Sequence, residues 1–214
     1  MVKIGRAFMA TLLTMLALIL ALPAAPARAQ TIIDDWASVK APPPPELKPV
    51  TVDPKTTVLL MLDFMKPNCG QRPRCVASVP LVRKLLGEAR AAKATVINSF
   101  FVKNTAADIV DPALAPKPDE GSVTSFADKF LNTDLDKMLK DKGITTVIVI
   151  GTAANGAVLY TGSGAALRGY NVIVPVDGVS SADTYTEQFS AWQLANGPTF
   201  GQKVTLTRID TIKF

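Results

Sequence analysis

Asp63 is the ionisable residue best placed for chemistry, because it directly follows the apolar run 58–62. An uninterrupted apolar run of this length predicts a strand buried on both faces of a parallel sheet. Ligands bind beyond the carboxyl ends of such strands, where a carboxyl group can act as a general acid or base. The residues alone support equally the simpler interpretation that Asp63 only caps the loop after the strand.

The segment 151–156, with the sequence GTAANG, is the second candidate. It follows the apolar run 146–150 and precedes a predicted helix over about residues 156–168, which places the turn at the carboxyl edge of a sheet. Its glycine spacing follows that of a phosphate loop. However, Ala157 and Val158 stand where a lysine and a serine or threonine would bind phosphate and magnesium, and this excludes nucleotide hydrolysis.

Strands and helices that can position these residues alternate along the chain. The alternation predicts a doubly wound α/β domain over residues 55–214, with a mostly parallel sheet and helices on both faces. Right-handed crossovers then bring the strand ends at Asp63 and Ile150 to the same edge. The predicted strands are 58–62, 95–102, 146–150, 171–176 and 204–208, the predicted helices are 81–92, 133–142, 156–168 and 184–195, and a loop-rich insertion covers 103–123.

The first residues of the chain have the layout of a secretory signal peptide. Lys3 and Arg6 precede an apolar run over about residues 7–22, and Ala27-Arg28-Ala29 fits a cleavage site. The alternative is an uncleaved membrane anchor, but the run is shorter than the roughly 20 residues that a span needs. Cleavage after Ala29 predicts an exported protein, and removing the three basic residues of 1–29 lowers the formal net charge from +5 to +2. That charge gives no support to nucleic-acid binding.

Residues 30–54 form a proline-rich arm with four consecutive prolines at 42–45. Prolines favour an extended backbone with few internal hydrogen bonds. The simplest interpretation is a linker, or an arm packed across the domain through Ile32, Ile33 and Trp36. A proline motif that binds a partner is the alternative.

Cys69 and Cys75 are the only cysteines, and the chain contains no histidine. Two nearby cysteines in an exported protein favour a structural disulfide. A metal site needs more ligands than these two, and a redox pair usually has two intervening residues rather than five. We therefore expect neither a metal nor a cofactor.

Three segments resemble the isochorismatase-like hydrolase superfamily, which includes nicotinamidases, N-carbamoylsarcosine amidohydrolases and isochorismatases. The segments are TVLLMLDFMKPNC, FLNTDLDKMLKDKGITTVIVIGTAANGAVLYT and AALRGYNVIVPVDGVSSAD, and they lie within residues 57–183. The resemblance implies a three-layer fold similar to the Rossmann fold, with a pocket at the carboxyl edge of the sheet.

The resemblance also implies roles for individual residues. The cysteine hydrolases of this group use an aspartate, a lysine and a cysteine nucleophile. Here the aspartate is Asp63, the cysteine position holds Ala157, and the lysine position falls on Thr124, with Lys129 close enough to serve instead. Two of the three catalytic side chains are therefore expected to be missing. A cis peptide bond at Thr152–Ala153 is implied as well. The expected pocket residues are Phe64, Thr124, Thr152, Ala153, Ala154, Asn155, Gly156 and Ala157.

Without a nucleophile, the expected activity is a non-covalent hydrolysis of a small molecule, since some members of the group lack the cysteine and use the aspartate as an acid. Lys129 or Lys66 could bind a carboxylate of the substrate. A catalytically inactive exported protein that binds a small molecule is the alternative, and a structural role in a homo-oligomer is a third. Neither a nucleic acid nor, after cleavage of the signal peptide, a membrane is expected as a partner.

Overall fold

The computed structural model describes residues 29–214, which form two compact units on either side of Pro42 and Pro43. Apart from Ala29, the predicted signal peptide lies outside the described residues. In the first unit, residues 32–38 form turns, and the side chains of Ile32, Ile33 and Trp36 are exposed. Within residues 29–214, no helix combines the length and apolar character required to cross a membrane.

The second unit, Pro43–Phe214, contains a mostly parallel sheet with helices on both faces, which confirms the predicted α/β class. The strands are β1 (Val50–Thr51), β2 (Thr57–Leu62), β3 (Thr95–Phe101), β4 (Gly121–Ser125), β5 (Thr146–Thr152), β6 (Asn171–Pro175), β7 (Val179–Ser180), β8 (Val204–Thr207) and β9 (Ile212–Lys213). The helices are α1 (Pro73–Ala91), α2 (Leu135–Asp141), α3 (Leu159–Leu167) and α4 (Thr184–Asn196).

The order of strands in the large sheet is β4-β3-β2-β5-β6-β8, and β7 pairs with the end of β5. The chain runs outward from β2 to β4 and then returns to β5, so the order reverses between β2 and β5. This reversal is a topological switch point, where open parallel sheets form their ligand crevice. Leu62 pairs with Gly151 at the carboxyl end of these two strands. Strands β1 and β9 form a separate parallel pair, so part of the predicted arm belongs to this unit.

Alternate side chains of β2 enter different hydrophobic cores. Leu59 and Met61 belong to the core that includes α1. Val58, Leu60 and Leu62 belong to the core that includes residues of α2, α3 and α4. Because successive side chains of a strand point to opposite faces, this division gives three layers, with the sheet between two layers of helices.

Helix α1 begins at Pro73, and not at residue 81 as the sequence predicted. Proline is tolerated in the first turn of a helix, where its missing N–H would have no partner. Pro80 lies inside the same helix on its exposed side. The predicted insertion over 103–123 ends in strand β4, which the sequence analysis missed because its residues, GSVTS, are small and mostly polar.

We expect Gly151→Ala to lower the free energy of unfolding by about 3 kcal/mol or more. Gly151 has a φ of +143°, and a Cβ atom there would lie 2.2 Å from the carbonyl oxygen of Leu62. The control is Gly87→Ala in α1, where an added Cβ meets nothing within 4 Å and a gain of about 0.5–1 kcal/mol is expected. Urea unfolding followed by circular dichroism measures both. Equal effects of the two substitutions would contradict this account of the strand end.

Candidate active site

Asp63 lies at the carboxyl end of β2, has a left-handed backbone conformation at φ +58°, and is only 3% exposed. Aspartate tolerates this conformation better than most residues. Its Oδ1 accepts a hydrogen bond of 2.7 Å from the Ser99 hydroxyl, and its Oδ2 accepts one of 2.8 Å from Lys129 Nζ. The chain therefore turns sharply after β2 and holds this carboxyl group inside the protein.

Lys129 is fully buried, and its ammonium group donates three hydrogen bonds. The acceptors are Oδ2 of Asp63, the carbonyl oxygen of Phe126 at 2.7 Å and that of Ser125 at 3.3 Å. An ammonium group has three hydrogens, so each has an acceptor. The backbone N–H of Lys129 also donates to the hydroxyl of Thr161 in α3, at 3.1 Å. Lys129 thus connects β2, the loop after β4, and α3.

Lys129, which the sequence analysis offered in place of Thr124, is the lysine that contacts Asp63. Thr124, to which the family spacing points, is exposed on β4. The loop that follows β4 brings the next lysine, Lys129, to the carboxylate. Of the three side chains used by the cysteine hydrolases, this chain therefore brings together an aspartate and a lysine.

Burial raises the pKa of Asp63, because the charged carboxylate is poorly solvated inside the protein. The positive charge and hydrogen bond of Lys129, the hydrogen bond of Ser99 and the charge of Arg72 act in the opposite direction and offset only part of the effect. The pKa of this carboxyl group therefore lies above that of an ordinary aspartate. Asp63 holds a proton to a higher pH than a solvated aspartate would.

The turn after β5 contains a cis peptide bond between Thr152 and Ala153, as the resemblance implied. A π-helical turn, Ala154–Val158, leads directly into α3. Asn155 is exposed, and the N–H groups of Ala154 and Asn155 have no hydrogen-bond acceptor among the described residues. Such amides at the start of a helix can bind an anion or an oxygen that becomes negatively charged.

The remaining expected pocket residues lie on different sides of the sheet. Ala157 is 4% exposed and lies one turn before Thr161, the residue that binds Lys129. Gly156 is half-buried at the same helix start. Phe64 is also buried, but its side chain belongs to the hydrophobic core on the α1 face.

Arg72 was missed in the sequence analysis. It is half-buried directly before α1, and its Nη1 donates to the carbonyl oxygen of Asn68 at 3.0 Å and to Oγ1 of Thr152 at 3.4 Å. Arg72 lies between the two cysteines in sequence. Its position in a loop that follows the Asp63 strand is the signal that could have identified it.

The disulfide between Cys69 and Cys75 is confirmed, with the two Cα atoms 5.2 Å apart. Because the chain has two cysteines in all, neither is available as a free thiol in this state. Among residues 29–214, no group of histidine, cysteine, aspartate or glutamate side chains could hold a metal ion.

The family model described as the isochorismatase domain matches residues 57–208, which is more than half of the chain. The chain belongs to the isochorismatase family. This family member is 27% identical over 148 residues to the secreted isochorismatase effector Isc1 of Verticillium dahliae, covering 63% of this chain and 78% of that protein.

Several solved structures share this fold. An isochorismatase-like hydrolase from Alkaliphilus metalliredigens gives a TM-score of 0.65 at 24% identity, covering 72% of this chain and 95% of the other. A cysteine hydrolase from Pseudomonas syringae pv. phaseolicola gives a TM-score of 0.66 at 24% identity, covering 78% and 94%. At these identities the similarity establishes the fold alone.

We expect Lys129→Met and Asp63→Asn each to lower the free energy of unfolding by about 3–5 kcal/mol, because either change leaves a buried polar partner uncompensated. The loss of unfolding free energy in the double variant should be clearly smaller than the sum of the losses in the two single variants. Urea unfolding of the four proteins gives the coupling energy. In contrast, Lys137→Met breaks an exposed ion pair with Asp141 and should change stability by about 0.5 kcal/mol or less. Additive single effects would show that the two groups are not coupled.

Proposed function

We propose that this protein is an exported hydrolase that acts on a small molecule at the carboxyl edge of its sheet without a covalent intermediate. The observation that carries the proposal is the buried carboxyl group of Asp63, bonded to Lys129 at the switch point. Export is supported by the disulfide, which is typical of oxidising compartments, and by the similarity to a fungal protein named as a secreted effector.

In the proposed reaction, Asp63 acts as a general acid. Its protonated carboxyl group gives a proton to the group that leaves, a water molecule adds to the electrophilic carbon, and a proton from that water restores Asp63. The hydrogen bonds from Lys129 and Ser99 stabilise the carboxylate that exists between these two transfers. The N–H groups of Ala154 and Asn155 are available to stabilise a negatively charged oxygen on the substrate.

The sulfur chemistry of the chain supports a mechanism without a protein nucleophile. Ala157 occupies the position that the resemblance assigns to the nucleophilic cysteine, and a methyl group cannot attack a substrate. Both cysteines of the chain are joined in the disulfide. Water is therefore the nucleophile in this proposal.

A turnover screen tests the proposal. The purified protein is incubated with small vinyl ethers, amides, carbamoyl compounds and esters, and products are detected by mass spectrometry beside Asp63→Asn. We expect turnover that falls by about 100-fold or more in the variant, in line with the loss of a general acid. The matched control is Asp141→Asn, which changes an exposed aspartate of α2 and should retain the full rate.

Each other result has a defined meaning. Equal turnover in Asp63→Asn and the unaltered protein would remove Asp63 from the mechanism. Saturable binding without turnover would instead support the inactive small-molecule-binding protein. Neither binding nor turnover, in a stable oligomer, would support a structural role. Association into a homo-oligomer stays a prediction.

The pH dependence of turnover should identify the acid. If protonated Asp63 is the acid, kcat/KM falls as the pH rises through its pKa, with a midpoint above the ordinary aspartate value of 3.8 because burial raises that pKa. Ser99→Ala removes a hydrogen bond that lowers the pKa of Asp63, so it should move the midpoint to a higher pH. A rate that rises with pH over the same range would indicate a general base instead.

A further inference from the structure

The Arg72 guanidinium is a partly buried cation that has no acidic partner in the described part of the chain. No salt bridge joins it to a carboxylate within residues 29–214, whereas Arg74, two residues further along the chain, is paired with Glu187. Lys129 has Asp63 and two backbone carbonyl oxygens as partners. Arg72 is therefore a positive charge at this edge of the sheet that no carboxylate of the described residues pairs with, and this favours an anionic ligand.

The hydrogen bonds of Arg72 leave one edge of the guanidinium free. Nη1 is held by the carbonyl oxygen of Asn68 and by Oγ1 of Thr152. The Thr152 hydroxyl donates its own hydrogen to the carbonyl oxygen of Ser180 at 3.2 Å, so it can accept from Arg72. Nε and Nη2 have no acceptor among the described residues. These two groups form the edge that binds a carboxylate through two parallel hydrogen bonds.

A second polar group close to Thr152 also lacks a partner. The Ser180 hydroxyl is buried, with the residue 1% exposed, and its Oγ has no hydrogen bond among the described residues. Ser180 is the register partner of Thr152 in the pairing of β5 with β7. A buried hydroxyl without a partner is unfavourable, and a ligand oxygen bound at this position would supply one.

The sequence offered Lys129 or Lys66 as the residue that binds a substrate carboxylate, and Arg72 is better placed than either. All three hydrogens of the Lys129 ammonium group are directed at protein acceptors. Lys66 is exposed in the loop after β2. Arg72, in contrast, contacts Thr152 at the cis peptide bond and lies near enough to Asp63 for its charge to act on that carboxyl group.

We propose that Arg72 is the specificity residue of this site and anchors the carboxylate of a small anionic substrate through its Nε and Nη2, with the Ser180 hydroxyl as a further hydrogen-bonding group. This inference names the substrate class for the proposed function and rests on it. The disulfide loop between Cys69 and Cys75 fixes the backbone of Arg72, whose N–H donates to the carbonyl oxygen of Cys69 at 2.9 Å.

Equilibrium binding of matched acid and amide probes tests the proposal without requiring turnover. The probes are benzoate with benzamide and acetate with acetamide, titrated by ligand-observed NMR at low salt. The unaltered protein should bind at least one carboxylate about 10-fold or more tightly than its amide. Arg72→Gln should lower the affinity for that carboxylate about 10-fold or more and change the affinity for the amide by less than about 2-fold.

Two further variants keep the test decisive. Arg72→Lys retains the charge without the planar fork, so it should recover only part of the carboxylate affinity, and it replaces Arg72→Gln if that variant does not fold. Arg74→Gln is the matched control and should leave the affinity unchanged. Equal affinity for acid and amide, no binding of either carboxylate, or unchanged carboxylate binding in Arg72→Gln would overturn the proposal.

The same titrations separate this inference from the proposed hydrolysis. If the protein shows no turnover but loses carboxylate binding in Arg72→Gln, the anchor stands and the hydrolase proposal falls. If turnover depends on Asp63 while Arg72→Gln binds and processes substrate normally, the hydrolase proposal stands and the anchor falls.

Discussion

A lysine ammonium group that has been removed from water must find acceptors inside the protein, and Lys129 finds them at Asp63, Ser125 and Phe126. These acceptors belong to the end of β2 and to the loop after β4, and the backbone of Lys129 is bound in turn by Thr161 of α3. Segments far apart in sequence are therefore fixed against each other by the side chain and the backbone of one residue. The position of the acid in the proposed reaction depends on this arrangement, since Asp63 can release its proton only where its carboxylate is stabilised.

The backbone around this ion pair is equally constrained. Strands β2 and β5 meet with Leu62 beside Gly151, where the close approach leaves no space for a side chain. Immediately beyond this contact, Asp63 adopts a left-handed conformation and Thr152 precedes a cis peptide bond. The backbone thus changes direction at the same level of the sheet after both strands. The crevice that a reversal of strand order creates is consequently bordered by the carboxyl group that follows β2 and by the two amides after β5 that have no acceptor among the described residues.

The sequence predicted those features that depend on local pattern. The apolar run 146–150 identified a buried strand, because side-chain burial on both faces leaves a continuous hydrophobic signal. Features that depend on the path of a loop or on contacts between distant residues were harder to predict from the sequence. Residue spacing pointed to Thr124, but the path of the loop after β4 decides that Lys129 reaches the carboxylate. Apolar spacing placed the start of the first helix at residue 81, whereas the helix begins at Pro73. The position of Arg72 in the loop after the Asp63 strand could have marked it as a candidate, but only the structure shows that its guanidinium has no carboxylate partner among the described residues.

The disulfide has a consequence for the chemical resistance of the protein. Thiolate nucleophiles are oxidised by peroxides to sulfenic acids and then irreversibly to sulfinic and sulfonic acids. A hydrolase that depends on such a group loses activity wherever these oxidants accumulate. In this chain the two cysteines are already joined as the disulfide Cys69–Cys75. The start of the helix that follows β5 contains no cysteine. Oxidants and alkylating agents that inactivate a cysteine enzyme therefore find no free thiol to attack in this disulfide-bonded chain.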